Sequence, residues 1–286
     1  MATSPQLFRF RHNAMATRFE IIIPDTDADE AYASQASQAV FTEIDRLEDE
    51  LSRYRPLSDV ARIGQLKAGE TTVIGLATAD CLALAKSVHQ ETGGAFNITI
   101  GPLMKLYRDE TDAPRIPHHE EESQALARVG MNLLELDEEL NSVRVHASHM
   151  IIDFGAVGKG YALDQCADVL LDWKVSNALL NAGDSTVLGI GAAPDQSGWT
   201  VTAGNREKIA IVLQNNALSG SGFHVKGAHF INPRTMRPVP PKSDRTWALA
   251  PTAALSDALS TAFMLMTREE IDALCARNPG IAAFLD

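Results

Sequence analysis

The chain has 286 residues, of which 45% are hydrophobic and 22% are charged, and its formal net charge is −12. This composition is typical of a globular protein with a sizeable core, which excludes a disordered or fibrous chain. The excess of acidic residues leaves no basic surface for nucleic acid or an anionic membrane, so neither is expected as a partner. Any bound phosphate must be held locally, by backbone amides, one or two cations or a metal. We expect a single domain over residues 1–286, or two closely packed subdomains.

The N-terminal segment "MATSPQLFRFRHNAM" lacks the apolar stretch of a secretory signal, and no segment approaches the roughly 18 apolar residues of a transmembrane helix. We therefore expect no transmembrane segment. The sequence as it stands indicates a cytoplasmic protein, or a periplasmic one if a signal has been trimmed. The cysteines Cys81, Cys166 and Cys275 lie far apart without CxxC spacing, which favours buried core residues over a zinc site.

The first half of the chain predicts a hairpin followed by helices. The segments "FRFRH" and "RFEIII" predict two strands on either side of "NAMAT". Apolar residues three and four apart, from Val40 to Leu51, predict a long amphipathic helix. The segment "TADCLALAKSVHQETGG" predicts a second helix, with Thr78 as its N-cap and Gly93 or Gly94 at its end. The polar segment "RDETDAPRIPHHEEES" predicts a loop that leads into a short helix.

The second half predicts more strands, mixed with three helices. The segments "SVRVHASHMIIDFG", "NALLNAG", "GWTVTAG" and "IAIVLQN" read as strands. The segments "GYALDQCADVLLDW", "AALSDALSTAFMLM" and "TREEIDALCAR" read as helices, and Thr267 and Glu270 in the last have the spacing of a capping box. Because strands and helices do not alternate regularly, the pattern favours an α+β fold class over a doubly wound parallel sheet.

A glycine-rich bend, "IIDFGAVGKGYALD", joins a predicted strand to a predicted helix at residues 151–164. It places the carboxylate of Asp153 and the ammonium of Lys159 six residues apart, among glycines that permit tight backbone conformations. Such a bend suits an anionic ligand, but it matches neither GxGxxG nor the GK[ST] ending of a P-loop. On its own it is equally a plain strand-to-helix connection.

Asp257 and Thr261 stand four residues apart in a predicted helix, so their side chains share one face. A carboxylate and a hydroxyl are hard oxygen ligands, which suit Mg²⁺ better than zinc. The alternative is a polar pair near the start of a helix without a ligand.

Four further stretches combine small residues with one or two polar side chains: "TGGAFNITIGPL", "ALSGSGFHVK", "HFINPRTMRPV" and "APTAALSDALSTAF". Together with "DFGAVGKGYALD" they resemble, in order and spacing, the FAD:protein FMN transferases of the ApbE type. The resemblance runs from about residue 15 to residue 266. It implies an ApbE-type α+β fold of mixed sheets and packed helices, with an FAD cleft between two halves.

The resemblance also implies an activity. Members of this family bind FAD as substrate, use Mg²⁺, transfer FMN to a Thr or Ser hydroxyl of an acceptor protein and release AMP. Asp257, Thr261 and the backbone carbonyl of Ala156 would hold the metal. Asp257 and His229 would form the catalytic set, with His229 taking the proton of the attacking hydroxyl. Two alternatives stay open, an FAD pyrophosphatase in which water replaces the acceptor, and a flavin-binding protein that has lost its chemistry.

The same matching implies a set of FAD contacts: Met15, Tyr54, Ala95, Phe96, Asn97, Asp153, Lys159 and Ile231. Tyr54 would stack on a ring, although an exposed tyrosine at the end of a helix is also ordinary. The chain departs from the family pattern at Asn97, where members usually have Asp, and at Gly220, where they usually have Thr. These departures bear on catalytic rate, or on the choice of acceptor, more than on FAD binding.

Overall fold

The computed structural model describes residues 5–109, 111, 113–183, 185–204, 208–222, 231–240 and 245–285. Within them, the helices are α1 (Glu30–Leu51), α2 (Asp59–Gln65), α3 (Leu76–Glu91), α4 (Gly101–Leu106), α5 (His119–Leu126), α6 (Gly158–Asp172), α7 (Ala253–Phe263) and α8 (Arg268–Arg277). The strands are β1 (Leu7–Ala14), β2 (Thr17–Pro24), β3 (Thr71–Val73), β4 (Leu134–Asp137), β5 (Ser142–Val145), β6 (Ala178–Ala182), β7 (Thr186–Ile190), β8 (Trp199–Ala203), β9 (Ile209–Leu213), β10 (Asn216–Gly222), β11 (Ile231–Asn232), β12 (Arg237–Pro238), β13 (Arg245–Ala250) and β14 (Ala282–Leu285).

The main sheet has seven strands in the order β1-β2-β6-β7-β10-β13-β14, and every neighbouring pair is antiparallel. Smaller sheets are formed by β3-β5-β4, β8-β9 and β11-β12. Helices and mostly antiparallel strands in this arrangement confirm the α+β fold class.

The two faces of the main sheet are covered differently, as β2 shows. Phe19, Ile21 and Ile23 belong to the large core on the helical face, whereas Ile22 belongs to a smaller cluster on the opposite face. The alternation follows from the period of two residues in a strand. Trp199 in β8 contributes to the smaller cluster, so the β8-β9 hairpin covers the second face of the sheet.

The long amphipathic helix predicted from the apolar spacing is confirmed as α1. Its N-cap is Asp29, whose carboxylate accepts the backbone N–H of Tyr32 at 2.8 Å. The side chains of Val40, Ile44 and Leu47 are fully buried, and each contributes about 1.5–3 kcal/mol relative to an exposed position. Helix α1 therefore supports the helical face of the sheet.

The prediction that Thr78 is the N-cap of the second helix is wrong. Helix α3 begins at Leu76, because its first backbone amides are satisfied by acids from other elements. Asp59 Oδ2 accepts the N–H of Gly75 at 2.5 Å, and Glu50 Oε1 accepts the N–H of Thr78 at 2.9 Å. The predicted helix end is confirmed, since Gly93 and Gly94 follow α3 with positive φ values of 56° and 83°.

The strand predicted through "SVRVHASHMIIDFG" is confirmed only for its first residues. Strand β5 ends at Val145, and a turn with φ of 56° at His149 interrupts the extended backbone. After this turn, Met150, Ile152 and Phe154 are buried without ladder pairing, and the N–H of Asp153 donates to the carbonyl of Ile98 at 2.9 Å. In the described part of the chain, none of the helices has the length and apolarity needed to cross a membrane.

Candidate functional site

The predicted site lies where helices α6 and α7 meet. A Cβ on Gly160 would overlap the carbonyl oxygen of Ala253 and lie 2.7 Å from the Cα of Ala254, so the two helices approach closely only because residue 160 is glycine. Asp164, one turn further along α6, accepts the backbone N–H of Ala253 at 2.7 Å and of Ala254 at 2.9 Å. Helix α6 therefore fixes the N-terminus of α7. Burial raises the pKa of Asp164 to about 6, against the opposing effect of these two hydrogen bonds.

The structure brings together Lys159 and Asp257, which the sequence placed in separate motifs. Asp257 is buried on α7, and its Oδ2 accepts the N–H of Gly160 at 3.3 Å. Lys159 Nζ lies 3.7 Å from the same oxygen and donates to the carbonyl of Gly155 at 3.1 Å. The glycine-rich bend is thus held against the helix that carries the predicted metal ligand.

Thr261 lies one turn after Asp257 on α7, as the spacing predicts. Its Oγ1 is 3.2 Å from the hydroxyl of Ser221 on β10, which is also 2.9 Å from the hydroxyl of Ser260. Ser260 in turn donates to the carbonyl of Asp257 at 2.9 Å. A cluster of hydroxyl groups therefore joins α7 to β10. Sequence reasoning missed the role of Ser260, which has no signal beyond its position beside Thr261.

Asp257 and Thr261 carry hard oxygen atoms of the kind that a divalent cation binds. Asp257 offers one carboxylate and Thr261 a neutral oxygen, and Ala156 lies in the bend between Asp153 and Lys159. Over the described ranges, no group of three or more His, Cys, Asp or Glu side chains is placed to hold a metal ion. A cation with a single protein carboxylate suits Mg²⁺, which takes one or two carboxylates and completes its shell with waters and substrate phosphates.

A second cluster forms around Asp153 at the other end of the bend. Asp153 Oδ1 accepts the N–H of Gly155 at 2.7 Å, and its Oδ2 lies 3.4 Å from Nη1 of Arg53. The Arg53 guanidinium is 4.7 Å from the ring centroid of Tyr54 and donates to its hydroxyl at 2.5 Å. Tyr54 itself is 78% exposed. The predicted FAD residues Tyr54 and Asp153 are therefore neighbours through Arg53, which sequence reasoning did not select.

Residues 95–97 follow the end of α3 and are buried. Asn97 Oδ1 accepts both the N–H and the hydroxyl of Thr99, at 2.8 and 2.7 Å. An amide oxygen accepts these bonds as a carboxylate oxygen would, so asparagine maintains the local turn. The hydrogen bond from Asp153 to Ile98 places this segment beside the bend.

The remaining predicted contacts lie in different apolar clusters. Ile231 on β11 packs with Leu103 and Leu106 in a cluster of its own. Met15 forms the tip of the β1-β2 hairpin with a φ of 49° and packs on the large core. The predicted base His229 lies outside the described residues.

Arg234, just after β11, ties two of the predicted FAD segments together. Its guanidinium donates to the carbonyls of Thr92 at 2.6 Å and Gly93 at 2.9 Å, at the end of α3. It also donates to both carboxylate oxygens of Glu270 on α8 at 2.9 and 3.0 Å. The segment containing Ile231 is therefore anchored beside the segment that begins at Ala95. The sequence "INPRT" contains this arginine but gives no sign of its partners.

Comparison with known proteins supports one family. The model of the ApbE family matches residues 15–285. The FAD:protein FMN transferase of Escherichia coli (strain K12) is 24% identical over 289 residues, which cover 95% of this chain and 81% of that protein. The FAD:protein FMN transferase of Vibrio cholerae is 25% identical over 262 residues, which cover 85% of this chain and 78% of that protein.

Solved structures share the fold. The flavin transferase ApbE from Vibrio cholerae superposes with a TM-score of 0.85 at 21% identity, covering 99% of this chain and 94% of the other. The apo form of the Pseudomonas stutzeri flavinyl transferase ApbE gives a TM-score of 0.83 at 25% identity, covering 98% and 91%. Because the family match extends over nearly the whole sequence and the architecture agrees, the chain belongs to the ApbE family.

Proposed function

We propose that this protein is an FAD:protein FMN transferase, which uses Mg²⁺, moves FMN from FAD to a Thr or Ser hydroxyl of an acceptor protein and releases AMP. The observation that carries the proposal is the junction of α6 and α7. It places Lys159 Nζ 3.7 Å from buried Asp257, with Thr261 one turn along the same helix. A cation, a carboxylate and a hydroxyl at a glycine-rich bend suit the handling of a pyrophosphate.

In this proposal Asp257, Thr261 and the carbonyl of Ala156 hold Mg²⁺. When bound, the ion neutralises charge on the transferring phosphoryl group. Lys159, whose Nζ lies 3.7 Å from Asp257 Oδ2, adds a second positive charge at the same place. Phosphoryl transfer depends mainly on positioning and charge neutralisation, which these residues supply.

In the same proposal, FAD is bound by residues of the bend and of neighbouring segments: Met15, Tyr54, Ala95, Phe96, Asn97, Asp153, Lys159 and Ile231. His229 acts as the base that takes the proton of the attacking hydroxyl. The hydrogen bond from the N–H of Asp153 to the carbonyl of Ile98 supports the view that the bend and residues 95–97 line one site.

The family departure at Gly220 has a local reason. A Cβ at this position would lie 2.7 Å from Nε1 of Trp247, which covers the second face of β10. A threonine therefore requires Trp247 to move. Ser221, whose hydroxyl contacts Thr261, remains in place. The change at residue 220 thus leaves the hydroxyl cluster of the proposed site intact.

Product analysis distinguishes the proposed transferase from the two alternatives. Purified protein is incubated with FAD and Mg²⁺, with and without cell extract from the source organism, and AMP, FMN and protein-bound flavin are measured. A transferase yields AMP matched by flavin that stays on a protein band in a denaturing gel. Equal AMP and free FMN without any protein-bound flavin would show a pyrophosphatase. FAD binding without AMP release would show a flavin-binding protein without activity.

A further inference from the structure

Arg53 contacts Tyr54 and Asp153, two residues to which the proposed function assigns FAD binding. Arg53 is not itself among those FAD contacts. It lies two residues after the end of α1, and it contacts both Tyr54 and Asp153, whose sequence positions lie far apart. Its Nη1 is 3.4 Å from Asp153 Oδ2, and its guanidinium lies 4.7 Å from the ring centroid of Tyr54. The side chains of Arg53 and Asp153 are 28% and 22% exposed, so both polar groups reach the surface of the site.

The guanidinium of Arg53 and the carboxylate of Asp153 together select ligands that carry a hydrogen-bond donor beside an acceptor. The guanidinium is a fork of N–H donors without an acceptor, and the carboxylate beside it accepts hydrogen bonds only. A ligand that presents an N–H next to a carbonyl oxygen or a ring nitrogen matches both groups at once. The exposed ring of Tyr54 adds a face on which a flat heterocycle stacks.

A phosphate group is a poorer match for this position. An anion bound to Arg53 would lie against the carboxylate of Asp153, and like charges at such distances repel. At the other end of the bend, the carboxylate of Asp257 beside Lys159 is the one to which the proposed function assigns a metal ion, and that ion would offset its negative charge. The bend therefore separates a ring-binding end at Asp153 from a phosphate-binding end at Lys159.

We propose that Arg53 is a further substrate-binding residue, which together with Asp153 recognises the polar edge of one FAD ring while Tyr54 stacks on its face. This inference rests on the proposed function. Both rings of FAD offer the required pattern. The flavin has an N–H between two carbonyl oxygens, and adenine has an amino group next to a ring nitrogen.

The ion pair of Arg53 with Asp153 contributes little to the free energy of unfolding, so its removal is expected to affect ligand binding more than folding. Partly exposed ion pairs contribute about 0–1 kcal/mol to stability. Arg53→Ala is therefore expected to fold normally. Arg55→Ala is the matched control, because Arg55 lies two residues later and pairs with Glu48 and Asp49 on α1, outside the Asp153 cluster.

The experiment measures dissociation constants of FAD, riboflavin and adenosine by calorimetry for the wild type, Arg53→Ala, Arg53→Lys and Arg55→Ala. Riboflavin and adenosine carry no phosphate, so they report on the ring alone. Loss of a hydrogen bond to a charged group predicts an affinity for FAD that is weaker by about tenfold or more in Arg53→Ala. The same loss for riboflavin identifies the flavin ring, and for adenosine the adenine ring.

The Arg53→Lys variant separates hydrogen-bond geometry from charge. A lysine keeps the charge but not the planar fork, so most of the loss is expected to persist. Full recovery in Arg53→Lys, or a loss for FAD with unchanged riboflavin and adenosine, would overturn the ring assignment in favour of a phosphate contact. Unchanged FAD affinity in Arg53→Ala would remove Arg53 from the site.

The outcome is distinguishable from a failure of the proposed function. The control variant Arg55→Ala is expected to release AMP at the wild-type rate, because Arg55 lies outside the Asp153 cluster. A wild-type protein that binds FAD but releases no AMP would refute the proposed function, and the affinities would still decide the role of Arg53. A wild-type protein that binds no FAD would refute the proposed function and the Arg53 assignment together.

Discussion

The close contact of α6 and α7 predicts that Gly160 accepts no larger residue. In Gly160→Ala the added methyl group would overlap the carbonyl oxygen of Ala253 and lie 2.7 Å from the Cα of Ala254. Both are backbone atoms, which cannot rotate away as a flexible side chain does. The methyl group is therefore accommodated only if α7 moves away from α6, and that movement displaces Asp257 from Gly160.

Overpacking of this kind costs about 1–3 kcal/mol and sometimes more. Alanine in place of glycine inside a helix stabilises the helix by about 1 kcal/mol, which offsets part of this cost. The hydrogen bond from Gly160 to Asp257, at 3.3 Å, is lost as α7 moves. We expect a net decrease in the free energy of unfolding of about 2 kcal/mol for Gly160→Ala.

Gly158→Ala on the same helix is the matched control. A Cβ at Gly158 would lie 3.6 Å from the Cβ of Phe154, which is an ordinary van der Waals contact. Urea unfolding followed by circular dichroism measures both variants against the wild type. Gly158→Ala is expected within about 1 kcal/mol of the wild type, on the more stable side. Equal stability of the two variants, or a Gly160→Ala protein as stable as the wild type, would refute the packing argument.

Three further predictions concern the anchors of the site. Thr261→Ala is expected to raise the Mg²⁺ concentration needed for AMP release by less than Asp257→Asn does, because it removes a neutral oxygen; an equal or larger effect would contradict that ranking. Arg234→Ala is expected to weaken FAD binding, because the segment that contains Ile231 loses its anchor at the end of α3. Arg268→Ala, which loses an exposed pair with Asp272, is expected to leave FAD binding unchanged, and equal affinities of the two variants would contradict the anchoring role. Because the pKa of Asp164 is raised from 3.8 to about 6, the folded state holds its proton more tightly than the unfolded state. The stability of the wild type relative to Asp164→Asn should therefore fall by up to about 3 kcal/mol as the pH rises from about 4 to above 6, and a difference independent of pH in urea unfolding would contradict this.

The parts of the fold that follow from local patterns were predictable from the sequence. The β1-β2 hairpin and helix α1 have clear periods of two and of three to four residues, and both formed as expected. Strand β10 was not predicted, because "NALSGSG" is rich in small residues with low strand propensity. Its strand conformation depends on pairing with β7 and β13, which are distant in sequence.

The contacts of the candidate site likewise include some that local spacing predicts and some that join distant segments. Asp257 and Thr261 are one helical turn apart, so their shared face was predictable from spacing alone. The position of Lys159 beside Asp257 depends on the close packing at Gly160, and the pairing of Arg53 with Asp153 joins distant segments. The N-terminus of α3 shows the same limit, because Glu50 on α1 satisfies the N–H of Thr78. Contacts of this kind have no signal in the local sequence.

Asp257 is proposed to hold a metal ion that serves the cleavage of FAD. The rate of AMP release at saturating FAD, followed by chromatography as Mg²⁺ is varied, tests this role when the wild type is compared with Asp257→Asn. Asparagine keeps the size of the side chain and an oxygen acceptor for the N–H of Gly160 but removes the charge. Asp257→Asn is expected to need far more Mg²⁺ than the wild type and to lose most of its rate at saturating FAD. A variant with the wild-type dependence on Mg²⁺ and the wild-type rate would refute the assignment of Asp257 as a metal ligand.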